Sequence, residues 1–206
     1  MKRDDVILVR GGGDLATGTI HRLWSAGLKV LVLEAEHPAA IRRQVSVSEA
    51  VYEGGAVVEG MRAVLVKTLD EAVVVWHRGD VPVMVDPKGE LIPQVQPAAL
   101  VDAILAKKNL GTMRDMAPLT IALGPGFTAG VDVDFVVETK RGHRLGRIIR
   151  EGAAIPNTGV PGVMALSVSS TQKRLVSSGM CVPSEILCRR VKRSRKSKRR
   201  TASALR

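Results

Sequence analysis

The stretch Val6–Glu34 constrains the fold more than any other part of the chain. It begins with four apolar residues, a pattern typical of a strand buried on both faces. Gly11, Gly13 and Ala16 then fit G-x-G-x-x-G/A, and an amphipathic stretch leads to a second apolar strand that ends in Glu34. This order of strand, glycine turn, helix, strand and acid predicts a dinucleotide-binding βαβ unit.

Each residue type in this unit has a predicted role. Gly11 allows the tight turn, Gly13 lets the backbone approach a phosphate, and Ala16 lets the helix pack against the strand. The helix N-terminus favours a pyrophosphate, and Glu34, 21 positions after Gly13, would accept hydrogen bonds from ribose hydroxyls and repel a 2′-phosphate. The alternative is a glycine turn that only packs strand against helix. The predicted cofactor-binding residues are Gly11, Gly12, Gly13, Asp14, Ala16, Thr17 and Glu34.

Asp14 counts against an ordinary NAD site. Its negative charge would repel a pyrophosphate unless a cation or a shifted pose of the ligand intervenes. Since Asp is among the residues preferred at helix N-caps, its structural interpretation is a cap of the first helix.

The charge of the chain is concentrated at one end. The net charge is +11, and residues 173–206 contain twelve Lys or Arg against one acid, so the remainder is neutral. A basic tail can bind nucleic acid by counterion release, but this one lacks aromatic residues to stack bases, and no basic surface is expected behind it. Three interpretations compete for residues after Val163: a nucleic-acid- or anion-binding arm, a solvated terminus, and a translation that has left its native frame. We expect low order there, because a segment rich in Lys, Arg and Ser cannot offset the entropy cost of ordering.

Composition also bears on compartment and core. Hydrophobic residues make up 45% of the chain but aromatic residues only 2%, which predicts a core of Val, Leu, Ile and Ala. Cys181 and Cys188 match no zinc spacing. No apolar run approaches the roughly 20 residues of a membrane helix, and the start lacks the pattern of a signal peptide. The expectation is a cytoplasmic protein without a membrane partner.

Further elements are predicted along the chain. The boxes Ser46–Glu49 and Thr68–Glu71 (S/T-x-x-E) predict helix starts, the first helix ending at Gly54, and Pro97 predicts a helix with Leu100 and Ile104 inside. The remaining predicted strands are 63–67, 82–85, 119–123, 131–139 and 145–150, the last two forming a hairpin. The fold class is therefore α/β: a Rossmann-like three-layer, mostly parallel sheet, then a small β-rich segment and a disordered basic tail. The predicted divisions are 1–123, 124–163 and 164–206.

A second candidate site follows the strand 119–123. Gly124 and Gly126 could admit a phosphate or pterin edge beside Thr128, or they could serve an ordinary loop that needs positive φ. Arg141 and His143, with the arginines that follow them, could hold an anion or form a solvated face.

Neither a metal site nor a catalytic residue set emerges. His37 lies near Glu34 and Glu36, but three ligands from four adjacent residues rarely converge, so no metal is expected. No Ser/His/Asp or Cys/His arrangement can be drawn. An NAD-dependent oxidoreductase would need a proton donor, for which His143 is the candidate.

Four blocks go beyond the generic pattern: RGGGDLATGT at 10–19, VSEAVYEGG at 47–55, LGPGFTAGV at 123–131, and TKRGHRLGRI at 139–148, continuing to PNTGVPG at 156–162. Together they resemble the YqeB family, accessory proteins associated with selenium-dependent molybdenum hydroxylases. The resemblance implies a role in preparing or inserting the molybdenum cofactor into a hydroxylase apoenzyme. It ends near Gly162, where the family continues into a β-rich, glycine-containing segment and this chain has a run of Ser, Arg and Lys.

The sequence thus predicts an accessory factor that binds NAD or the dinucleotide form of the molybdenum cofactor at its first βα turn, with a hydroxylase apoenzyme or its maturation machinery as partner. The alternatives are an NAD-dependent oxidoreductase and a protein that binds nucleic acid through its tail.

Overall fold

A computed structural model describes residues 5–156, which form an α/β fold around a nine-stranded sheet. The basic tail and its frame-shift interpretation lie outside the described residues. The strands are β1 (Val6–Arg10), β2 (Lys29–Glu34), β3 (Gly55–Val58), β4 (Met61–Leu65), β5 (Val81–Val85), β6 (Ala99–Asp102), β7 (Thr120–Leu123), β8 (Thr128–Ala129), β9 (Phe135–Val137), β10 (Ile148–Ile149) and β11 (Gly152–Ala153). The helices are α1 (Asp14–Ser25), α2 (Ala50–Glu53), α3 (Leu69–His77) and α4 (Ile92–Val95), with 3₁₀ turns at Arg43–Val45, Val47–Glu49 and Arg114–Met116.

The sheet is mostly parallel, as predicted. Its strand order is β10-β9-β7-β6-β1-β2-β5-β4-β3, and only the outermost strands, β3 and β10, pair antiparallel with their neighbours. The chain builds one side of β1 with β2, β4 and β5, then crosses over and builds the other side with β6, β7 and β9. The crossover places a topological switch point between β1 and β6, where α/β proteins commonly bind ligands.

Two hydrophobic cores lie on opposite faces of this sheet. Successive side chains of β1 alternate between them, because a strand has a two-residue period. Ile7 and Val9 pack in the core that includes Ile20 of α1, whereas Leu8 packs in the core that includes Val75 of α3. Each buried aliphatic side chain of this size contributes roughly 1.5–3 kcal/mol. The predicted three layers are confirmed.

A third cluster covers one face of the sheet beyond β7. Phe127 and Ala129 pack with Val133, Val136 and Ala154, and β8 pairs with β11 in a small separate sheet. These elements correspond to the small β-rich segment predicted from the sequence.

The helix predicted from Pro97 is wrong. Residues 99–102 form β6, which is buried and lies parallel between β1 and β7. A four-residue apolar run fits a helix face and a two-sided buried strand equally well, so periodicity could not separate the two. The crossover from β5 instead uses the single turn of α4.

The two predicted capping boxes have different outcomes. The Thr68 hydroxyl accepts the Glu71 amide at 3.2 Å, so the start of α3 is confirmed. At Ser46 the predicted helical start is confirmed, because the 3₁₀ turn Val47–Glu49 has Ser46 as its N-cap and leads directly into α2. The predicted capping hydrogen bonds are wrong, because the Ser46 hydroxyl donates to the Arg42 carbonyl and the Glu49 carboxylate binds Arg43. α2 ends at Gly54, as predicted, and Gly54 has φ +75°.

The predicted hairpin near residue 140 forms, but with shorter strands. β9 and β10 pair antiparallel and extend the main sheet beyond β7. The described part of the predicted 124–163 division therefore shares a sheet with 1–123, and the domain division itself stays a prediction. The hairpin of β3 and β4, which turns at Glu59 and Gly60, was missed.

None of the helices within residues 5–156 has the length and apolar character that crossing a bilayer requires.

Candidate functional site at the switch point

Three loops meet at the carboxyl ends of the central strands. The glycine turn (residues 11–13) follows β1, the β6 loop (residues 103–111) follows β6, and the second glycine loop (residues 124–130) follows β7. A Cβ atom at Gly11 would lie 3.0 Å from the backbone of Ala103, and one at Gly126 would lie 2.6 Å from the amide nitrogen of Lys108. The β6 loop therefore touches both glycine loops.

The three glycines of the first turn differ in their surroundings. Gly11 has φ +90° and donates its amide to the Leu33 carbonyl at 2.7 Å, so it makes the tight turn that its position predicted. Gly12 packs against Val47 and Ser48, where a Cβ would lie 3.0 Å from both the Ser48 nitrogen and a side-chain methyl of Val47. Gly13 has no atom within 4 Å of a Cβ position. The turn thus leaves open space at Gly13, where the sequence predicted backbone approach to a phosphate.

Glu34 is brought to this turn by the end of β2. One carboxylate oxygen accepts the Gly12 amide at 2.6 Å, and the other accepts the Ala35 amide at 2.7 Å. The predicted ribose-binding acid therefore lies beside the glycine turn, with its carboxylate engaged by backbone donors. Its contact with Gly12 could not be deduced from spacing alone.

Thr17 links the glycine turn to residues 47–48. Its hydroxyl donates to the Gly13 carbonyl at 2.8 Å and accepts the Val47 amide at 3.0 Å. The Ser48 amide donates to the Gly12 carbonyl at 2.9 Å. Ala16 is fully buried in the core, as its predicted packing role requires.

The capping interpretation of Asp14 is wrong. Gly13 is the N-cap of α1, and Asp14 is the first helical residue. Its carboxylate accepts the Leu15 amide and pairs with the guanidinium of Arg42. Arg42 is thus a cation beside Asp14, one of the two conditions under which the sequence would allow a pyrophosphate there.

A buried charged cluster lies beneath the turn. Arg10, which ends β1, donates to the Thr112 hydroxyl at 2.6 Å and to the Pro87 carbonyl at 2.9 Å. The Thr112 hydroxyl donates to Asp102 at 2.5 Å, and Arg10 and Asp102 are each 1% exposed. Sequence reasoning missed this cluster. The sequence does show a charged residue at the end of each of two apolar runs, Arg10 and Asp102. The two strands become neighbours only in the folded sheet.

The second glycine loop is tightly packed. A Cβ at Gly124 would lie 2.7 Å from the Thr139 hydroxyl. The backbone of the β6 loop occupies the space where a Cβ at Gly126 would lie. The Thr128 amide donates to Asp132 at 2.7 Å. These contacts favour the ordinary-loop interpretation for both glycines.

The basic residues on the following hairpin are exposed. Arg141 and His143 lie at its tip, while Arg144, Arg147 and Arg150 line a groove of about 410 Å³. The structure places Arg141 and His143 outside the lining of that groove, and His143 as a proton donor stays a prediction.

Glu138, buried directly after β9, organises this region. Burial is the largest influence on its pKa and raises it, but hydrogen bonds from backbone amides outweigh burial and lower the pKa below its ordinary value. The amides of Lys140 and Ile155 donate at 2.8 Å and 2.9 Å. The carboxylate therefore joins the hairpin to residue 155.

Two other features bear on the location of a site. A groove of about 770 Å³ lies at the opposite, amino end of the strands, beside Val6 and Ala98. Its lining is mostly proline and apolar residues, together with the polar side chains of Asp5, Gln96 and Asp115. Within residues 5–156, no three His, Cys, Asp or Glu side chains are grouped to hold a metal.

Comparison with known proteins identifies a relative. The uncharacterized protein YqeB of Escherichia coli (strain K12) is 53% identical over 157 residues, which are 76% of this chain and 29% of that protein. Over these residues the chain belongs to the YqeB family. It spans less than a third of the relative's length. No family model and no solved structure matches.

Proposed function

We propose that this member of the YqeB family binds a dinucleotide, NAD or the molybdenum cofactor dinucleotide, at the glycine turn. In this proposal it supports maturation of a selenium-dependent molybdenum hydroxylase, with the apoenzyme or its maturation machinery as partner in the cytoplasm. The observation that carries the proposal is the open space at Gly13, at the N-terminus of α1 and beside Glu34, at the switch point of the sheet.

The helix geometry supports an anionic group at this position. The first amides of a helix lack intrahelical backbone acceptors, and the helix dipole favours negative charge there. In α1 the Asp14 carboxylate already accepts one of them, the Leu15 amide. α1 has 12 residues, long enough for these contributions to add along its axis. The carboxylates of Asp14 and Glu34 would repel the negative charge of the ligand, but the pairing of Arg42 with Asp14 offsets the repulsion from Asp14.

The state of Glu34 suggests how ribose would bind. Its carboxylate already accepts two backbone amides, and a carboxylate has further lone pairs for hydroxyl donors. The same charge opposes a 2′-phosphate, so the proposal specifies NAD over its 2′-phosphorylated form.

Valine at position 13 tests the site directly. Gly13 has φ −64° and ψ 177°, which valine adopts without strain, so Gly13→Val fills the open space while the fold is kept. We expect NAD affinity, measured by calorimetric titration, to fall at least about tenfold, or roughly 1.4 kcal/mol. The matched control is Gly18→Val in the same helix, where a Cβ also meets no atom within 4 Å.

The maturation role is tested in a strain that makes such a hydroxylase and lacks this gene. We expect the hydroxylase purified from it to contain less molybdenum cofactor. The wild-type gene and the Gly18→Val gene should restore loading, and Gly13→Val should not. A fully loaded and active hydroxylase in the deletion strain would refute the role, and equal NAD affinity of both variants would remove the turn from the site.

A further inference from the structure

The hairpin of β9 and β10 carries a concentration of positive charge that the rest of the fold does not share. Residues 140–150 contain five Lys or Arg, one His and no acid, whereas residues 1–139 and 151–156 contain fourteen Lys or Arg against nineteen acids. All five cationic side chains are exposed. We call residues 140–150 the arginine edge, since they place a positive surface on a body of net negative charge.

We propose that the arginine edge binds an extended, acidic segment of a partner protein, which adds as a further strand beside β10. This inference goes beyond the proposed function, because β10 lies four strands from β1 and its glycine turn, and the binding requires no dinucleotide. The occupant is a partner chain, since residues 173–206 of this chain carry charge of the same sign as the arginine edge.

The first support is that the arginines of this segment lack acidic partners. Within residues 5–156, none of the four forms an ion pair with an acid: Arg141, Arg144, Arg147 and Arg150. Glu138, which lines the groove beside them, is buried and already accepts backbone amides, and Glu151 is the exposed acid of that lining. A planar guanidinium binds a carboxylate through two parallel hydrogen bonds, so these side chains suit the acidic residues of a partner.

The second support is the open backbone of β10. Among the strands that the structure describes, β10 is outermost and pairs only with β9. The Arg147 carbonyl accepts the Glu138 amide at 3.0 Å and therefore faces β9. Since the backbone groups of successive residues in an antiparallel strand point to opposite sides, the amide and carbonyl of Ile148 face the open edge. An extended chain can pair with these groups, as in β-strand addition.

The third support is the mixture of side chains on this edge. Leu145 is 59% exposed and Ile148 is 61% exposed, and Ile148 lines the groove together with three of the arginines. A strand edge that is charged only to prevent pairing typically carries lysine, whereas arginine beside apolar side chains is typical of protein interfaces. The segment contains no Phe, Tyr or Trp on which a base could stack, so a protein is favoured over a nucleic acid.

Titration of the full chain with a synthetic peptide tests the inference. The probe alternates Glu with Val, because the side chains of a strand alternate between its two faces. Binding is followed through the NMR signals of the backbone amides of residues 141–149, which separates this surface from the basic residues 173–206. The comparison probes are a peptide that alternates Lys with Val, the Glu–Val peptide with all its amides N-methylated, and a single-stranded oligothymidylate. Methylation removes the donors that strand pairing needs and keeps the charge.

Variants of the chain locate the contacts. Arg144→Gln/Arg147→Gln removes two charges from the arginine edge. Ile148→Pro removes the amide that faces the open edge and spares the pairing with β9, because proline is tolerated in an edge strand where its nitrogen faces solvent. The control, Arg62→Gln/Arg78→Gln, removes two exposed cations elsewhere on the fold. Thermal unfolding is followed for every variant.

We expect the Glu–Val peptide to shift the amide signals of residues 141–149, and the Lys–Val and N-methylated peptides to leave them unchanged. Arg144→Gln/Arg147→Gln and Ile148→Pro should each weaken binding about tenfold with unfolding temperatures close to wild type, and the control should bind as the wild type does.

Three results would overturn the inference: no shift with the Glu–Val peptide, equal binding by the Arg144→Gln/Arg147→Gln variant, or equal binding of the N-methylated peptide. If Ile148→Pro unfolds early, the N-methylated peptide decides whether the backbone of the edge is used. An oligothymidylate that binds residues 141–149 more tightly than the Glu–Val peptide would identify nucleic acid as the partner and refute the inference. The proposed function stands or falls separately, since it is tested by NAD binding at the glycine turn.

Discussion

Gly126 lies where two loops that are separate in the sequence come into backbone contact. It has φ +110°, and a Cβ there would lie 2.6 Å from the Lys108 nitrogen and 2.7 Å from its Cα. The obstructing atoms are backbone, so no side-chain rotation can relieve the overlap. The sequence showed a glycine-rich loop but could not show which chain segment would approach it.

Gly126→Ala should therefore destabilise the fold strongly. We expect a loss of about 2–4 kcal/mol in the free energy of unfolding, combining backbone strain with overpacking. Denaturant unfolding followed by circular dichroism measures it. Gly142→Ala is the matched control, because Gly142 has φ +137° but no atom within 4 Å of a Cβ position. Equal losses in the two variants would show that strain alone accounts for the effect.

At the scale of elements, the edge of the sheet near β9 depends on one carboxylate. Glu138 is 2% exposed and accepts amides from Lys140 on the hairpin and from Ile155 beyond β11. Since its pKa is lowered in the folded protein, ionised Glu138 stabilises the fold at pH values above the unfolded pKa, about 4.3. That contribution is lost as the pH falls through the folded-state pKa.

Glu138→Gln should lower stability at neutral pH and weaken its acid dependence. The glutamine NH₂ group faces an amide donor, leaving a buried donor without an acceptor, which costs roughly 1–3 kcal/mol. Unfolding curves at pH 7 and at steps below pH 4.3 measure both effects. Glu151→Gln, an exposed acid in the same region, is the control. A wild type and a variant that lose stability in parallel below pH 4.3 would contradict this account of the acid dependence.

Across the whole molecule, Arg10 links the two sides of the switch point. It ends β1 and contacts the loop after β5 through Pro87 and, through Thr112, the residue that follows the β6 loop. Asp102, opposite Arg10 in the sheet register, completes the cluster. A buried guanidinium needs such partners to offset the cost of removing it from water, so the cluster fixes loops from both sides relative to the glycine turn.

Arg10→Met should destabilise the whole sheet rather than one loop. We expect a loss of about 3–5 kcal/mol, because Asp102 would keep a buried charge without its cation. A uniform decrease in amide protection on both sides of β1, measured by hydrogen exchange, should accompany it. Arg114→Met is the control, since Arg114 pairs with Asp134 at the surface and should matter less. Loss of protection confined to residues 103–111 would show that Arg10 fixes one loop only.

The sequence by itself determined the central βαβ unit, the mostly parallel three-layer sheet, the start of α3 and the position of the glycine turn. These follow from local patterns: an apolar run, a glycine spacing and a capping residue each act over a few neighbours in the chain. It could not determine that residues 99–102 form a strand, since a short apolar run is compatible with helix and strand. Only the tertiary structure decided that β6 lies beside β1. That pairing unites Arg10 with Asp102 and places the start of the β6 loop against Gly11. Contacts between residues so far apart in the chain depend on strand order, which no local pattern encodes.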